Sequence, residues 1–265
     1  GAVGVRLEPR PHHLPHEVAR TRPAFAAHPW PTDRGALLLR PADGDSIWGK
    51  DMISEADLVK ALHKGACKAT KDYLEWSDGT FLNECAGESY MVACMAQAVM
   101  KTPSPPPYLC LEYCLSTLKD DWDKRLPSCL KGSGRLDMAL LNKDKQLKFA
   151  IEAKCSTAWA DNYADDIKRL MHLCRKLRKT STDGALQACI FITSVYSYSI
   201  SSMEKARKQL NEKISDWESY INDIRLNYQK QYGEISTCFS IFPNYNVNET
   251  SDLAQISTSL CCIIK

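Results

Sequence analysis

The chain has 265 residues, of which 44% are hydrophobic and 25% are charged, and its formal net charge is +2. This composition is typical of an ordinary globular domain with a sizeable core, and it excludes a polycation. No stretch approaches the length of a membrane span, so we expect a cytoplasmic protein with no membrane partner.

The twelve cysteines lie largely within apolar runs, and no signal peptide precedes them. We therefore predict reduced core residues rather than a disulfide framework. No Cys-X2-Cys pair occurs, which argues against a structural zinc site.

The first 51 residues differ in composition from the rest of the chain. They contain seven of the 13 prolines and four of the six histidines, but no cysteine and a single lysine, Lys50. We predict that residues 1–51 form a Pro/Arg/His-rich N-terminal extension, either non-native or disordered. A genuine proline-rich arm is the alternative. The domain is then expected to span residues 52–265 and to begin with a helix capped by Ser54.

A helix is predicted for residues 81–100 and an apolar strand for residues 108–115. Within the helix, Glu84 and Glu88 lie four residues apart and share one face. Glu112 is an acid on the strand, for which an exposed position is expected and a role near a metal ion is the alternative.

Residues 134–141 and 147–154 predict a β-hairpin with its turn at Asp144-Lys145. Side chains alternate along a strand, so Glu152 and Lys154 share one face, and the register sets Asp137 opposite Glu152. The other face is wholly apolar and consists of Leu136, Met138, Leu140, Phe149, Ile151 and Ala153.

Two carboxylates a few ångströms apart repel each other, and a hard divalent cation with oxygen ligands reconciles them. Mg²⁺ fits best, with Mn²⁺ as its substitute, and the candidate ligands are Asp137, Glu152 and the backbone carbonyl of Ala153. Lys154 is expected to orient or help deprotonate an attacking water, or to neutralise charge on a phosphate. The alternative is a surface hairpin whose acid and lysine pair across the strands.

These residues resemble the PD-(D/E)XK nuclease family. In that family a helix with a glutamate comes first, a hairpin with the Asp and Glu-X-Lys follows, and then a helix and a strand, and this chain has the same order over roughly residues 80–200. The resemblance implies a restriction-endonuclease-like α/β fold, a central mixed β-sheet flanked by α-helices. It also makes Glu88 the candidate for the helix acid, as a catalytic and metal-binding residue, with Glu84 second. Leu136 stands where the family name expects proline, a departure that many members share.

A helix over residues 165–177 and a buried strand over residues 188–195 are predicted after the hairpin. Residues 168–179 contain no acid, so we predict a nucleic-acid-binding surface, with a solvated helix face as the alternative. Its residues are Lys168, Arg169, Arg175, Lys176, Arg178 and Lys179. A long helix over residues 202–231 and strands over residues 235–242 and 255–264 complete the predicted scaffold.

Together the residues and the resemblance predict a Mg²⁺-dependent endo- or exodeoxyribonuclease, with DNA favoured over RNA as its nucleic-acid partner. The alternative is a catalytically inactive nuclease-like fold that acts as a nucleic-acid-binding or protein-interaction module. The sequence specifies neither a cleavage specificity nor an oligomeric state, although a homodimer would allow both strands of a duplex to be cut.

Overall fold

The computed structural model describes residues 28–29, 37–39, 52–77, 82, 87–121, 134–155, 163–180, 186–200, 202–242, 246–249 and 253–265. The α-helices are α1 (Glu55–Trp76), α2 (Glu88–Met100), α3 (Ala164–Thr180) and α4 (Met203–Tyr232). The strands are β1 (His28–Pro29), β2 (Leu37–Leu39), β3 (Tyr108–Cys114), β4 (Arg135–Leu141), β5 (Leu147–Lys154), β6 (Ala188–Ser199), β7 (Thr237–Ile241), β8 (Asn246–Glu249) and β9 (Ala254–Ile264).

The strands form one mixed sheet in the order β1-β2-β3-β4-β5-β6-β9-β7, with β8 also paired to β9. The pair β5–β6 is parallel and the other pairs are antiparallel. A parallel pair needs a crossover, and α3 is the helix that lies between β5 and β6 in the chain. The expected α/β architecture, a mixed sheet flanked by helices, is therefore confirmed.

Helices cover both faces of the sheet. Buried side chains of α3 and α4 pack on one face, and those of α1 and α2 pack on the other. The buried side chains of α4 recur at helical spacing, and they are Ala206, Leu210, Ile214, Trp217, Ile221, Ile224 and Tyr228. Between α1 and α2, a Cβ on Gly65 would lie 2.3 Å from the Cα of Met95, so glycine permits the close approach of these helices. Among the described helices, none combines the length and apolar character needed to cross a bilayer.

Helix starts follow local capping where the sequence contains a capping residue. The Ser54 side chain accepts a hydrogen bond from the backbone N–H of Asp57, which confirms the predicted start of α1. Helix α2, however, begins at Glu88 rather than at residue 81, so that prediction was wrong. Gly87 precedes it, its backbone N–H donates to the carbonyl oxygen of Leu82 at 3.4 Å, and a Cβ there would lie 2.0 Å from Cδ1 of Leu82. Glu84 lies outside the described residues.

The register of the hairpin agrees with the prediction, but Leu136 packs on the side of α3 and α4 rather than with the other residues of the predicted apolar face. Met138 pairs with Ile151 and Leu140 with Phe149, with an irregularity after Leu140. The charged face of the hairpin is also largely buried, because Ala139, Leu141 and Ala150 pack beneath α3 and α4. The charged residues therefore lie at one end of a covered sheet rather than on an open surface.

Two short strands belong to the first 51 residues and were not predicted. Strand β2 pairs with β3, and β1 pairs with β2, so both extend one edge of the sheet. The other residues of this segment lie outside the described part of the chain.

Candidate active site at the carboxyl end of strand β5

Four of the predicted site residues converge where β4 begins and β5 ends. Asp137 is the third residue of β4, and Glu88 is the first residue of α2. Glu152 and Lys154 are the sixth and eighth residues of β5, and Lys154 ends that strand. Because β5 is parallel to β6, this is the carboxyl end of a parallel pair, where α/β proteins commonly place their ligands.

Asp137 connects the two strands of the hairpin. Its Oδ2 accepts a hydrogen bond of 2.7 Å from the backbone N–H of Ala153. This bond orients the carboxylate toward the end of β5 and fixes its position relative to Glu152 and Lys154.

Lys154 lies at the centre of a ring of acids. Its Nζ donates to Oε1 of Glu88 at 3.1 Å and lies 3.8 Å from Oδ2 of Asp137. It also lies 3.8 Å from Oδ2 of Asp166, on the first turn of α3. One ammonium group therefore links the hairpin to helices from both faces of the sheet.

Glu152 is paired with a guanidinium group. Its Oε1 accepts hydrogen bonds from Nη2 of Arg169 at 2.5 Å and from Nε of Arg169 at 3.2 Å. The same Nη2 donates to Oδ1 of Asp166 at 2.7 Å. Arg169 thus bridges an acid on the strand and an acid one helical turn away on α3.

Burial changes the pKa of two acids of this site, Glu152 and Glu88. Burial raises the pKa of Glu152 well above its usual range, and the charge of Asp137 acts in the same direction, against Arg169. Burial likewise raises the pKa of Glu88, although Lys154 opposes it. Glu152 is only 1% exposed, so its charge depends on the groups around it rather than on water.

The two cations keep their protons. Burial alone would lower the pKa of Lys154, but the surrounding carboxylates, Asp137 and Glu88 foremost, hold it above its ordinary value. The same balance raises the pKa of Arg169. With its four carboxyl groups ionised, the cluster of Glu88, Asp137, Glu152, Lys154, Asp166 and Arg169 has a net charge of −2.

The donor set fits a hard divalent cation in its chemistry. Mg²⁺ prefers oxygen ligands, and one or two carboxylates suffice when phosphate and water complete the shell. In the described part of the chain, however, no group of three or more Asp, Glu, His or Cys side chains is arranged as metal ligands. Asp137 and Glu152, the pair of carboxylates predicted from the hairpin register, are the candidates for holding such an ion.

The predicted basic surface is divided by the structure. Lys168 and Arg178 are exposed on α3, while Arg175 and Lys176 are partly buried. The guanidinium of Arg175 lies 5.9 Å from the ring centre of Tyr232. Arg169 instead points into the carboxylate cluster, because Glu152 and Asp166 lie on its side of the helix. The side chain of Lys179 lies outside the described residues.

Two further acids are informative. Asp166 was missed by sequence reasoning, since an acid in the first turn of a helix is normally explained by the helix dipole. The sequence signal for Asp166 was its spacing of three from Arg169, which puts both side chains on one helical face.

Glu112 pairs with Arg135 at 3.5 Å and is largely exposed, as expected of an acid on this strand.

A second buried polar group lies on the opposite face of the sheet, around His63 of α1. Its Nδ1 is 2.7 Å from Oγ of Ser259 and its Nε2 is 3.1 Å from Oγ of Ser240. The ring stacks on Phe242 with 5.6 Å between ring centres. Burial lowers the pKa of His63 to about 4, although a hydrogen bond with the backbone of Ser240 opposes this. The imidazole is therefore neutral and joins a helix to two strands.

This low pKa predicts a specific loss of stability in acid. As the pH falls below 6.5, the unfolded chain binds a proton that the folded protein accepts only near pH 4, so the free energy of unfolding decreases. Between pH 7 and pH 5 we expect His63 to account for a loss of about 2 kcal/mol. Urea unfolding of wild type and His63→Gln at both pH values measures this. The other titrating groups are common to both proteins, so parallel pH dependences would contradict the prediction.

Comparisons of the chain with protein-family models, with curated proteins and with solved structures found no match. The class that the structure itself defines is an α/β protein with a mixed sheet between two layers of helices. Its distinguishing feature is a buried cluster of acids and cations at the carboxyl end of β5.

Proposed function

We propose that this protein is a Mg²⁺- or Mn²⁺-dependent nuclease that hydrolyses phosphodiester bonds of DNA, with a restriction-endonuclease-like fold. The observation that carries the proposal is the meeting of Asp137, Glu152, Lys154 and Glu88 at one end of β5. Three of these residues come from the two strands of one hairpin, and Glu88 comes from a helix 66 residues before Lys154. The order of helix, hairpin, helix and strand around them supports the fold assignment.

The acids have distinct roles in this proposal. Asp137 and Glu152 would hold the cation, together with the carbonyl of Ala153, and Glu88 would complete the acidic environment through Lys154. When bound, the cation would polarise the phosphate and lower the pKa of a water molecule. The hydrogen bond from Ala153 holds Asp137 in place before any ligand arrives, which reduces the cost of ordering the site.

Lys154 would act as a fixed positive charge. Because the surrounding carboxylates raise its pKa, it is protonated at neutral pH and cannot accept a proton from water. Its ammonium group can instead donate hydrogen bonds to the attacking water or to the phosphate oxygens, where negative charge grows in the transition state. Of the roles considered for this lysine, orientation and charge neutralisation fit its environment.

Exposed cations on α3 would contact the DNA backbone. Lys168 and Arg178 lie on the helix that also supplies Asp166 and Arg169 to the cluster, so a bound strand could reach both. Contacts of this kind bind phosphates without reading bases, and their strength falls as salt is added.

Cleavage assays with supercoiled plasmid and with labelled single- and double-stranded oligonucleotides test the proposal. We expect cleavage in Mg²⁺ or Mn²⁺, loss of cleavage in EDTA, and recovery when the cation is restored. Glu152→Gln protein purified in the same way distinguishes this activity from a contaminating nuclease. Intact substrates over a full range of both cations would reject the enzyme.

A specific observation favours a second candidate function. The cations Lys154 and Arg169 already neutralise much of the acidic cluster, as they would in a nuclease-like fold retained for binding without catalysis. In that case a gel-shift assay would detect DNA binding that is independent of divalent cations, with no product in the cleavage assay.

A further inference from the structure

The position of Arg169 has a consequence for ligand binding at the cluster. Both of its hydrogen bonds to Glu152 go to the same carboxylate oxygen, Oε1, at 2.5 and 3.2 Å. Mg²⁺ coordinates carboxylate oxygens at about 2.0–2.1 Å and brings its own ordered shell of ligands. A guanidinium and a divalent cation held at one carboxylate repel each other because both are positive, so Arg169 competes with a cation that binds Glu152.

Arg169 has a second anchor that does not depend on Glu152. Its Nη2 donates to Oδ1 of Asp166 at 2.7 Å, and the two residues lie three apart on α3. Asp166 also lies 3.8 Å from Lys154. If the guanidinium leaves Glu152, the bond to Asp166 can keep it beside the site, so a change of side-chain rotamer is sufficient and α3 need not move.

The charge of the cluster favours such an exchange. Four carboxyl groups surround two cations, and the ones nearest the strand end, Asp137 and Glu152, are those that repel each other. A divalent ion between these two carboxylates would supply the missing positive charge. A guanidinium displaced toward Asp166 would then lie next to the substrate side of the site, where it can donate two hydrogen bonds to a phosphate.

We propose that Arg169 is a positioning residue that neutralises Glu152 in the metal-free protein and is exchanged for a divalent cation when the site is loaded. Arg169 thereby sets the cation affinity of the site, and Asp166 retains it as a phosphate-contacting group. This inference rests on the proposed function, because it takes Glu152 as a ligand of the nuclease's cation.

Calorimetric titration of the full chain with Mn²⁺, in the absence of DNA, measures the affinity directly. We expect Arg169→Met to bind Mn²⁺ about 10-fold or more tightly than wild type, because a competing cation is removed. Arg169→Lys keeps the charge but loses the two-pronged bond to Glu152, so its affinity should lie between the two. Lys143→Met, which removes an exposed cation from the turn of the hairpin, is the control and should bind like wild type.

A second measurement keeps the test independent of how well Arg169→Met folds. In ¹⁵N-labelled wild type, the Nε–Hε signal of Arg169, assigned by its loss in Arg169→Lys, should shift when Mg²⁺ is added. An unmoved signal at a Mg²⁺ concentration that supports cleavage would overturn the exchange and leave the nuclease proposal intact. Equal or weaker Mn²⁺ binding by Arg169→Met would do the same. Absence of Mn²⁺ binding in all proteins would also overturn it, and the cleavage assay then reports separately on the proposed function.

Discussion

Glu152→Gln is expected to lower DNA cleavage by about 10³-fold while leaving the protein at least as stable as wild type at alkaline pH. The amide has the shape of the carboxylate and can still accept a hydrogen bond from Arg169 and donate one to Asp137. It cannot supply the negative charge that a divalent cation requires. Arg169 keeps its ion pair with Asp166 in this variant, so the substitution does not leave a buried cation without a partner.

Glu152→Gln should also change how the free energy of unfolding depends on pH. Burial raises the pKa of Glu152 in the folded protein well above 4.5, so the folded protein retains a proton that the unfolded chain releases. As the pH rises above 4.5, this difference lowers the free energy of unfolding of the wild type. Glu152→Gln lacks the titrating group, so its stability relative to wild type should increase with pH over that window.

Urea unfolding in EDTA at several pH values, and single-turnover cleavage in Mg²⁺, measure the two effects. Asp165→Asn is the matched control, because the side chain of Asp165 is 95% exposed and lies beside Asp166 on α3. It should change neither quantity. Equal cleavage by Glu152→Gln and wild type would remove Glu152 from the active site.

Lys154→Met is expected to lower the cleavage rate by about 10²- to 10³-fold, because a donor aimed at developing negative charge is lost. Lys154→Arg should retain more activity than Lys154→Met, since the charge is kept and only its position changes. If Lys154 acted as a general base, both variants would be equally inactive, because neither methionine nor arginine can accept a proton at neutral pH.

Single-turnover rates at saturating Mg²⁺ compare the two variants, and circular dichroism checks their folds. Lys154→Met also leaves Glu88, Asp137 and Asp166 without the ammonium group between them, so some loss of stability accompanies it. Lys143→Met, in the exposed turn of the same hairpin, should cleave at the wild-type rate. A rate for Lys154→Met within a factor of about two of wild type would contradict a role in stabilising the transition state.

Local patterns predicted most of the elements that carry the site. The alternation of side chains sets Asp137 opposite Glu152, because a slip of one residue would move the apolar face of a strand to the other side of the sheet. The observed pairing of Met138 with Ile151 agrees with this register. Helical spacing likewise predicted α4 within one residue at each end.

Other features of the fold depend on contacts that no local pattern encodes. Helix α2 begins next to Gly87, which contacts Leu82. Strand β2 pairs with β3, which is distant from it in the chain. Local propensity treats both segments as independent of these partners.

The sequence by itself determined which charged residues lie on one face of the hairpin, because register depends on neighbours along two adjacent strands. Only the tertiary structure decided what those charges meet. Glu88 reaches Lys154 across 66 residues, and Arg169 turns from an apparent member of a basic surface into the partner of Glu152. The physical reason is that a helical face has the same periodicity whether it borders water or a buried acid, so its partner is set by packing over long range.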